Sequence, residues 1–139
     1  MFTAKVYKIM VGSLSGAMEE VYVAKETIRK WNQQNAERTG KVFMPIEWGI
    51  SREAIQNTDI VVGIIDNWIA NPKCVEDWVS AGKQVMLLFN SLPDSMNTVP
   101  GELDDVLAFR SRVQTQCICV CYNGLIELNA LLNERLQAF

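Results

Sequence analysis

The 139-residue sequence contains no histidine, and this absence excludes the commonest catalytic and zinc-binding arrangements. Ser-His-Asp and Cys-His pairs need an imidazole to accept the proton of the nucleophile. Many zinc sites also use imidazole nitrogens as ligands. Any catalysis must therefore come from carboxylates, Ser, Tyr, Cys, Lys or backbone amides.

Basic residues are also scarce, with 13 Lys and Arg against 16 Asp and Glu, which gives a net charge of -3. Proteins that bind nucleic acids need clustered Lys and Arg to contact the phosphates. We therefore expect no nucleic-acid partner.

Long hydrophobic runs are absent as well. The longest apolar stretch, Ile60–Ile65, is far shorter than the ~20 residues that a membrane-spanning helix needs. Lys5 and Lys8 interrupt the N-terminal apolar segment, which argues against a signal peptide. Four cysteines in a chain of this length do not indicate a disulfide framework. We expect a reduced, cytoplasmic protein without a membrane partner.

Two hydrophobic periods alternate along the chain. A helical stripe is clearest early in the sequence, at Ala17, Val21, Ala24, Ile28 and Trp31. Two later runs, Ile60–Ile65 and Val85–Phe89, are continuously apolar, as in strands covered on both faces. Along the whole chain, five predicted strands alternate with helices. This pattern predicts one α/β domain over residues 1–139, with a doubly wound parallel sheet. A polar loop is predicted at 90–101.

The strand count favours the flavodoxin-like order 2-1-3-4-5. Pro45 lies in the predicted second strand, Val42–Trp48, and agrees with this order because proline is confined to edge strands. In this topology ligands bind beyond the carboxyl ends of strands 1 and 3. The turn Gly12–Gly16 and the pair Asp66 and Asn67 are expected at that crevice.

Gly12, Ser13, Ser15 and Gly16 are the small residues of this turn, and with Asn67 they are candidate ligand-binding residues. Small residues let backbone amides approach a ligand, and the helix N-terminus that follows favours anions. Ser15 is also the predicted N-cap of that helix. A tight strand-to-helix turn that only requires small side chains is the alternative.

Trp48 ends predicted strand 2 and Trp68 follows predicted strand 3, and both are candidates for stacking on a base or a nicotinamide. Packing at the rim of the crevice is the alternative. Trp31 belongs to the first helical stripe and is assigned to the core.

Asp66 and Glu76 are the candidate catalytic carboxylates. Paired acids near a crevice can act as nucleophile and general acid when burial separates their pKa values. In the alternative interpretation, Asp66 only closes a turn and Glu76 complements the dipole of the next helix.

Cys117, Cys119 and Cys121 alternate along the last predicted strand and share one face. With Cys74 they could supply thiolates to a soft metal. However, thiols ~7 Å apart along a strand splay away from a common centre, and cysteine is a common core residue. We therefore expect no metal site.

The order of several short motifs resembles a known family. The motifs are Ser13-Leu14-Ser15-Gly16 with Glu19-Glu20, Trp31-Asn32, Pro45-Ile46-Glu47-Trp48, Ile55-Gln56-Asn57, Asp59-Ile60-Val61-Val62-Gly63-Ile64-Ile65 and Gly82-Lys83-Gln84-Val85-Met86-Leu87-Leu88-Phe89. They resemble the TIR-like domain of unknown function at the N-terminus of bacterial multidomain signalling ATPases. That family is similar in fold to TIR domains and nucleoside 2-deoxyribosyltransferases.

The chain departs from this family at polar positions. Leu14 and Gly16 replace the family's Pro and Asp, and Val21 replaces an Arg. The resemblance places the family's catalytic Glu near Cys74. Glu76 lies two residues further on, which rotates it by ~200° around a helix.

The resemblance implies two alternative functions. The first is a degenerate TIR-like module that binds a nucleotide-type ligand or a protein partner in bacterial or phage signalling or defence, without catalysis. The second is a glycosidase or transferase acting on NAD or a deoxynucleoside, with Glu76 as nucleophile or transition-state stabiliser and Asp66 orienting the sugar. In both, NAD or a nucleotide would be a ligand or substrate. A single domain would signal through a homo-oligomer or a separate partner, and we expect self-association.

Overall fold

A computed structural model describes residues 1–91 and 101–139. The strands are β1 (Lys5–Ser13), β2 (Lys41–Ile46), β3 (Ile60–Ile65), β4 (Gln84–Asn90) and β5 (Ile118–Tyr122). The helices are α1 (Met18–Thr39), α2 (Arg52–Gln56), α3 (Lys73–Ser80), α4 (Glu102–Val113) and α5 (Gly124–Ala138). Most of the polar loop predicted at 90–101 lies outside the described residues.

The five strands form one parallel sheet in the order β2-β1-β3-β4-β5. This topology confirms the predicted α/β class and the flavodoxin-like strand order. Pro45 lies on the edge strand β2, opposite Ile9 of β1. The prediction from proline is therefore confirmed.

The sheet buries a hydrophobic layer on each face. Alternate residues of the central strands point to opposite faces, since the side-chain period of a strand is two. On one face α1 and α5 cover Ile9, Val62 and Leu88. On the other face α3 and α4 cover Met10, Val61 and Leu87. Among the described residues, no helix combines the length and apolarity needed to span a bilayer.

Trp31 is fully buried in the layer under α1, as the helical stripe predicts. Its ring packs edge-on against Phe43 of β2, with ring centroids 4.9 Å apart. The long first helix is thus anchored by the aromatic residue of its apolar stripe.

Serine precedes two of the helices, but only one of these serines caps its helix. Ser51 caps α2 as an N-cap serine should, accepting a hydrogen bond from Ala54 N at 3.1 Å. The prediction of Ser15 as N-cap is wrong, because α1 begins at Met18 with Ala17 as its N-cap. The Ser15 hydroxyl instead accepts a hydrogen bond from Asp66 N at 2.7 Å.

Candidate functional site

Three polar side chains form a row at the carboxyl edge of the sheet: Asp66 after β3, Asn90 at the end of β4 and Tyr122 at the end of β5. Asn90 Nδ2 donates a hydrogen bond to Asp66 Oδ1 at 2.9 Å. Asn90 and Tyr122 are direct register partners in the sheet. By strand alternation the row lies on the face covered by α1 and α5, where Tyr122 is a core member.

Tyr122 is the most unusual member of this row. Its side chain is 1% exposed, and its buried hydroxyl has no hydrogen-bond partner among the residues that the structure describes. Burial raises the pKa of Tyr122, and the negative charges of Glu20 and Asp66 raise it further. The phenol oxygen therefore lies in the field of two carboxylates. An unpartnered buried hydroxyl costs about 1–3 kcal/mol, which a ligand hydrogen bond would remove.

The buried indole nitrogens of Trp31 and Trp78 also have no hydrogen-bond partner within residues 1–91 and 101–139. Both belong to helices packed on the sheet, α1 and α3 respectively. Tyr122 differs from them because it ends a strand at the carboxyl edge, where ligands bind in this class of fold.

Asp66 is held by its neighbours on both sides. Its backbone N–H donates to the Ser15 hydroxyl, and its Oδ1 accepts from Asn90. Within the described residues, no donor contacts its second oxygen, Oδ2. One carboxylate oxygen is thus fixed and the other is available at a half-buried position.

The Gly12–Gly16 turn connects β1 to α1 and is hydrogen-bonded to the end of β3. The Ser13 hydroxyl donates to Ile64 O at 2.9 Å, and it accepts from Ser15 N at 3.0 Å and Ala17 N at 2.9 Å. Leu14 N donates to Ile64 O at 2.9 Å. The amides of Leu14, Ser15 and Ala17 and the Ser13 hydroxyl therefore have partners within the protein and are not available to an anion, while a ligand-binding role of the turn stays a prediction. Their effect is to fix Ser15, which in turn positions Asp66.

Gly12 serves packing with Trp48. A Cβ atom built on Gly12 would lie 2.2 Å from Cδ2 of the Trp48 indole. The same indole packs edge-on against Trp78, with ring centroids 5.4 Å apart. These contacts favour rim packing for Trp48, although its side chain also borders a cavity of about 680 Å³ beside Glu47 and Gly49.

Trp68 lies at the rim near Gly16. Its side chain is 38% exposed, and a Cβ atom built on Gly16 would lie 3.9 Å from Trp68 Cζ2. Gly16 itself has a φ of +75°, a conformation that suits glycine. Asn67, between Asp66 and Trp68, is buried at 5% exposure. The structure thus places Trp68 and Gly16 together, while Trp48 is engaged with Gly12.

Glu76 lies in the first turn of α3 and forms an ion pair with Arg112 of α4, with Oε1 and Nε 3.2 Å apart. Both side chains are about half exposed. These two helices cover the face of the sheet opposite to the row of Asp66, Asn90 and Tyr122. Glu76 and Asp66 therefore have separate partners and do not form the predicted carboxylate pair.

Cys117, Cys119 and Cys121 pack on the same face of the sheet, as their spacing predicts. All are free thiols, and Cys74 is buried in the same layer. In the described ranges, no group of three or more Cys, Asp or Glu side chains is arranged to hold a metal ion.

Sequence reasoning missed Glu20, Asn90 and Tyr122 as members of the candidate site. A signal for two of them was present. Asn90 and Tyr122 end strands 4 and 5, so the rule that selected Asp66 applies to them as well. The sequence does not indicate that the Tyr122 hydroxyl is buried, and only the structure shows this.

No protein-family model matches the chain, and no curated protein matches it. Two solved structures are similar in fold. A short-chain flavodoxin associated with a non-canonical PDU bacterial microcompartment superposes with a TM-score of 0.52 at 9% identity, over 96% of this chain and 97% of that chain. Homoserine dehydrogenase from S. aureus gives a TM-score of 0.52 at 11% identity, over 85% of this chain and 33% of that chain. These similarities define a flavodoxin-like α/β domain.

Proposed function

We propose that the chain is a TIR-like domain that binds a nucleoside-type ligand in the crevice at the carboxyl ends of β1, β3, β4 and β5. The observation that carries this proposal is the buried, unpartnered hydroxyl of Tyr122 beside Asp66. A ligand that hydrogen-bonds to this hydroxyl would remove its desolvation cost. The switch point of this sheet, between β1 and β3, is where the fold class binds its ligands.

The negative charges at the site determine which chemical group of a ligand can bind there. Asp66 and Glu20 present carboxylates that accept hydrogen bonds. Glu19 and Glu20 already complement the positive end of the α1 dipole. Three amides of the turn, those of Leu14, Ser15 and Ala17, already donate to Ser13 and Ile64 and cannot hold a phosphate. A group rich in hydroxyl donors, such as a ribose, fits better than a phosphate.

Trp68 provides a surface for the base of such a ligand. Its indole is partly exposed beside Gly16, at the same end of the sheet as Asp66. Stacking of a base on an aromatic side chain contributes about 1–3 kcal/mol and tolerates different bases. The proposal therefore assigns the sugar to Asp66 and Tyr122, and the base to Trp68.

In this proposal the ligand is bound and not cleaved. The alternative function, hydrolysis or transfer of a glycosyl group from NAD or a deoxynucleoside, requires Glu76 near the sugar. The ion pair of Glu76 with Arg112 on the opposite face gives no support to that role. The resemblance to TIR-like domains supports a role in bacterial or phage signalling or defence, in which ligand occupancy is transmitted through self-association or a protein partner.

The direct test is calorimetric titration of adenosine, deoxyadenosine, AMP and NAD into the purified protein. We expect adenosine to bind at least as tightly as AMP, because the sugar and not the phosphate makes the polar contacts. Asp66→Asn should weaken binding by about 10- to 100-fold, since hydrogen bonds to a charged group contribute ~1.5–3 kcal/mol. Glu76→Gln is the matched carboxylate control and should leave the affinity unchanged.

The same mixtures test the enzymatic alternative when they are assayed for free adenine or nicotinamide. Release of a free base that Glu76→Gln abolishes would overturn the proposed binding function. Absence of binding by all four compounds would overturn the assignment of the ligand class. AMP binding that is much tighter than adenosine binding would overturn the assignment of the sugar to this site.

A further inference from the structure

Two cysteine thiols lie next to each other at the start of the edge strand β5. Sγ of Cys117 is 3.9 Å from Sγ of Cys119. Both side chains are half-buried and both are free thiols. Closing this gap to the ~2.05 Å of a disulfide requires rotation of the two side chains and a small backbone adjustment.

The backbone can adjust at Cys117 but not at Cys119. Cys119 is held in the β4–β5 ladder opposite Leu87. Cys117 lies one residue before β5, and its N–H donates to Val113 O at the end of α4. Cys117 is therefore outside the strand ladder and can approach Cys119 without breaking strand pairing.

The two thiols have different chemical characters. Hydrogen bonding by the Cys117 thiol lowers the pKa of Cys119, and the positive charge of Arg110 lowers it further, while burial opposes both effects. The pKa of Cys117 is raised, first by its hydrogen bond with Cys119 and then by burial. Cys119 is thus the better nucleophile, because the thiolate is the reactive form of cysteine.

We propose that Cys117 and Cys119 form a redox-active dithiol that is oxidised by a small-molecule disulfide such as glutathione disulfide. The Cys119 thiolate attacks one sulfur of the disulfide, which forms a mixed disulfide and releases one glutathione thiolate. Cys117 then loses its proton to solvent and attacks Sγ of Cys119. An intramolecular disulfide forms, and a second glutathione thiolate leaves and is protonated.

This disulfide is of the readily reduced kind. Residues i and i+2 of a chain have Cα atoms up to ~6.6 Å apart when the backbone is extended as in a strand, which is near the upper limit for a bridged pair. Strained disulfides have more oxidising potentials and are reduced more easily than structural ones. The pair is therefore suited to reversible oxidation and not to permanent cross-linking.

The test is to incubate the protein with glutathione disulfide and to determine its mass and its free thiols after denaturation. The wild-type chain should lose two hydrogen atoms and two of its four thiols. Cys117→Ser should stop at the mixed disulfide and carry one glutathionyl group. Cys119→Ser should form neither the adduct at this pair nor the internal disulfide.

Cys121→Ser is the matched control, because Cys121 lies on the same face of the same strand. It should form the internal disulfide as the wild-type chain does. Retention of all four thiols by the wild-type chain would overturn the proposal, and so would loss of the disulfide in Cys121→Ser. Circular dichroism of each variant before oxidation verifies that the serine substitutions leave the fold intact.

Discussion

The indole of Trp48 occupies the space in which a side chain of Gly12 would lie, with only 2.2 Å between Trp48 Cδ2 and the position of a Cβ atom. This contact fastens the segment after β2 onto the end of β1. Both residues looked like candidate ligand contacts in the sequence. The structure makes them partners of each other, and this leaves the opposite face of the crevice, with Asp66 and Tyr122, as the candidate site.

The substitution Gly12→Ala should therefore destabilise the protein through overpacking. We expect the free energy of unfolding to fall by about 1–3 kcal/mol. Urea denaturation followed by circular dichroism measures this change. In a Trp48→Ala background the added methyl group has room, and the cost should largely disappear. An equal cost in both backgrounds would contradict the packing role of the pair.

Ser13→Ala should destabilise the turn between β1 and α1. The substitution leaves Ser15 N and Ala17 N without their acceptor and Ile64 O without one of its two donors. A loss of about 1–3 kcal/mol in unfolding free energy is expected. Ser80→Ala is the control, because Ser80 is exposed at the end of α3. Equal, small effects of the two substitutions would show that the Ser13 hydroxyl does not hold this turn.

Cys74 should make stability depend on pH under alkaline conditions. Burial, and secondarily the charge of Asp77, raises the pKa of Cys74 from 9.0 to about 11. The folded state thus binds this proton more tightly than the unfolded state does. Its contribution is fully present below pH 9 and is lost as the pH rises to about 11.

Cys74→Ala should reduce this dependence, leaving the part that comes from the raised pKa values of Cys117 and Tyr122, while lowering stability at neutral pH through the lost packing. Urea denaturation at several pH values between 7 and 11 measures both effects. If the variant and the wild-type chain lose stability in parallel above pH 9, the buried thiol is not the responsible group.

Glu76→Gln should have little effect on stability. The ion pair of Glu76 with Arg112 is half exposed, and such surface pairs contribute about 0–1 kcal/mol. Any effect should vanish at a salt concentration of about 1 M, where the Debye length is ~3 Å. Thermal unfolding at low and high salt provides the measurement. A large, salt-independent loss would indicate that Glu76 has a buried structural role.

The fold follows from patterns that a sequence displays directly. Continuous apolar runs such as Ile60–Ile65 mark central parallel strands, and Pro45 marks the edge strand. The hydrogen-bond partners of the side chains inside the crevice cannot be predicted from such patterns. Ser15 has the character of an N-cap, but tertiary contact with Asp66 N determines the partner of its hydroxyl.

The site was harder to predict because its parts come from separate strands. The sequence marks Asp66 as the residue that follows a strand, but nothing in it links Asp66 to Tyr122 of β5. The register that aligns Asn90 with Tyr122 brings these residues into one row. The position of Glu76 near a helix start predicts that it pairs with Asp66. However, α3, which carries Glu76, covers the face of the sheet opposite to Asp66.

The central claim is tested most directly by Tyr122→Phe, with stability and adenosine affinity measured on the same sample. The substitution removes only the buried, unpartnered hydroxyl. We predict that the ligand-free protein becomes no less stable, while adenosine affinity falls by about 2- to 10-fold, the equivalent of one neutral hydrogen bond. Tyr22→Phe, at an exposed position of α1, should change neither quantity. A Tyr122→Phe protein that is less stable but binds adenosine with unchanged affinity would contradict the account.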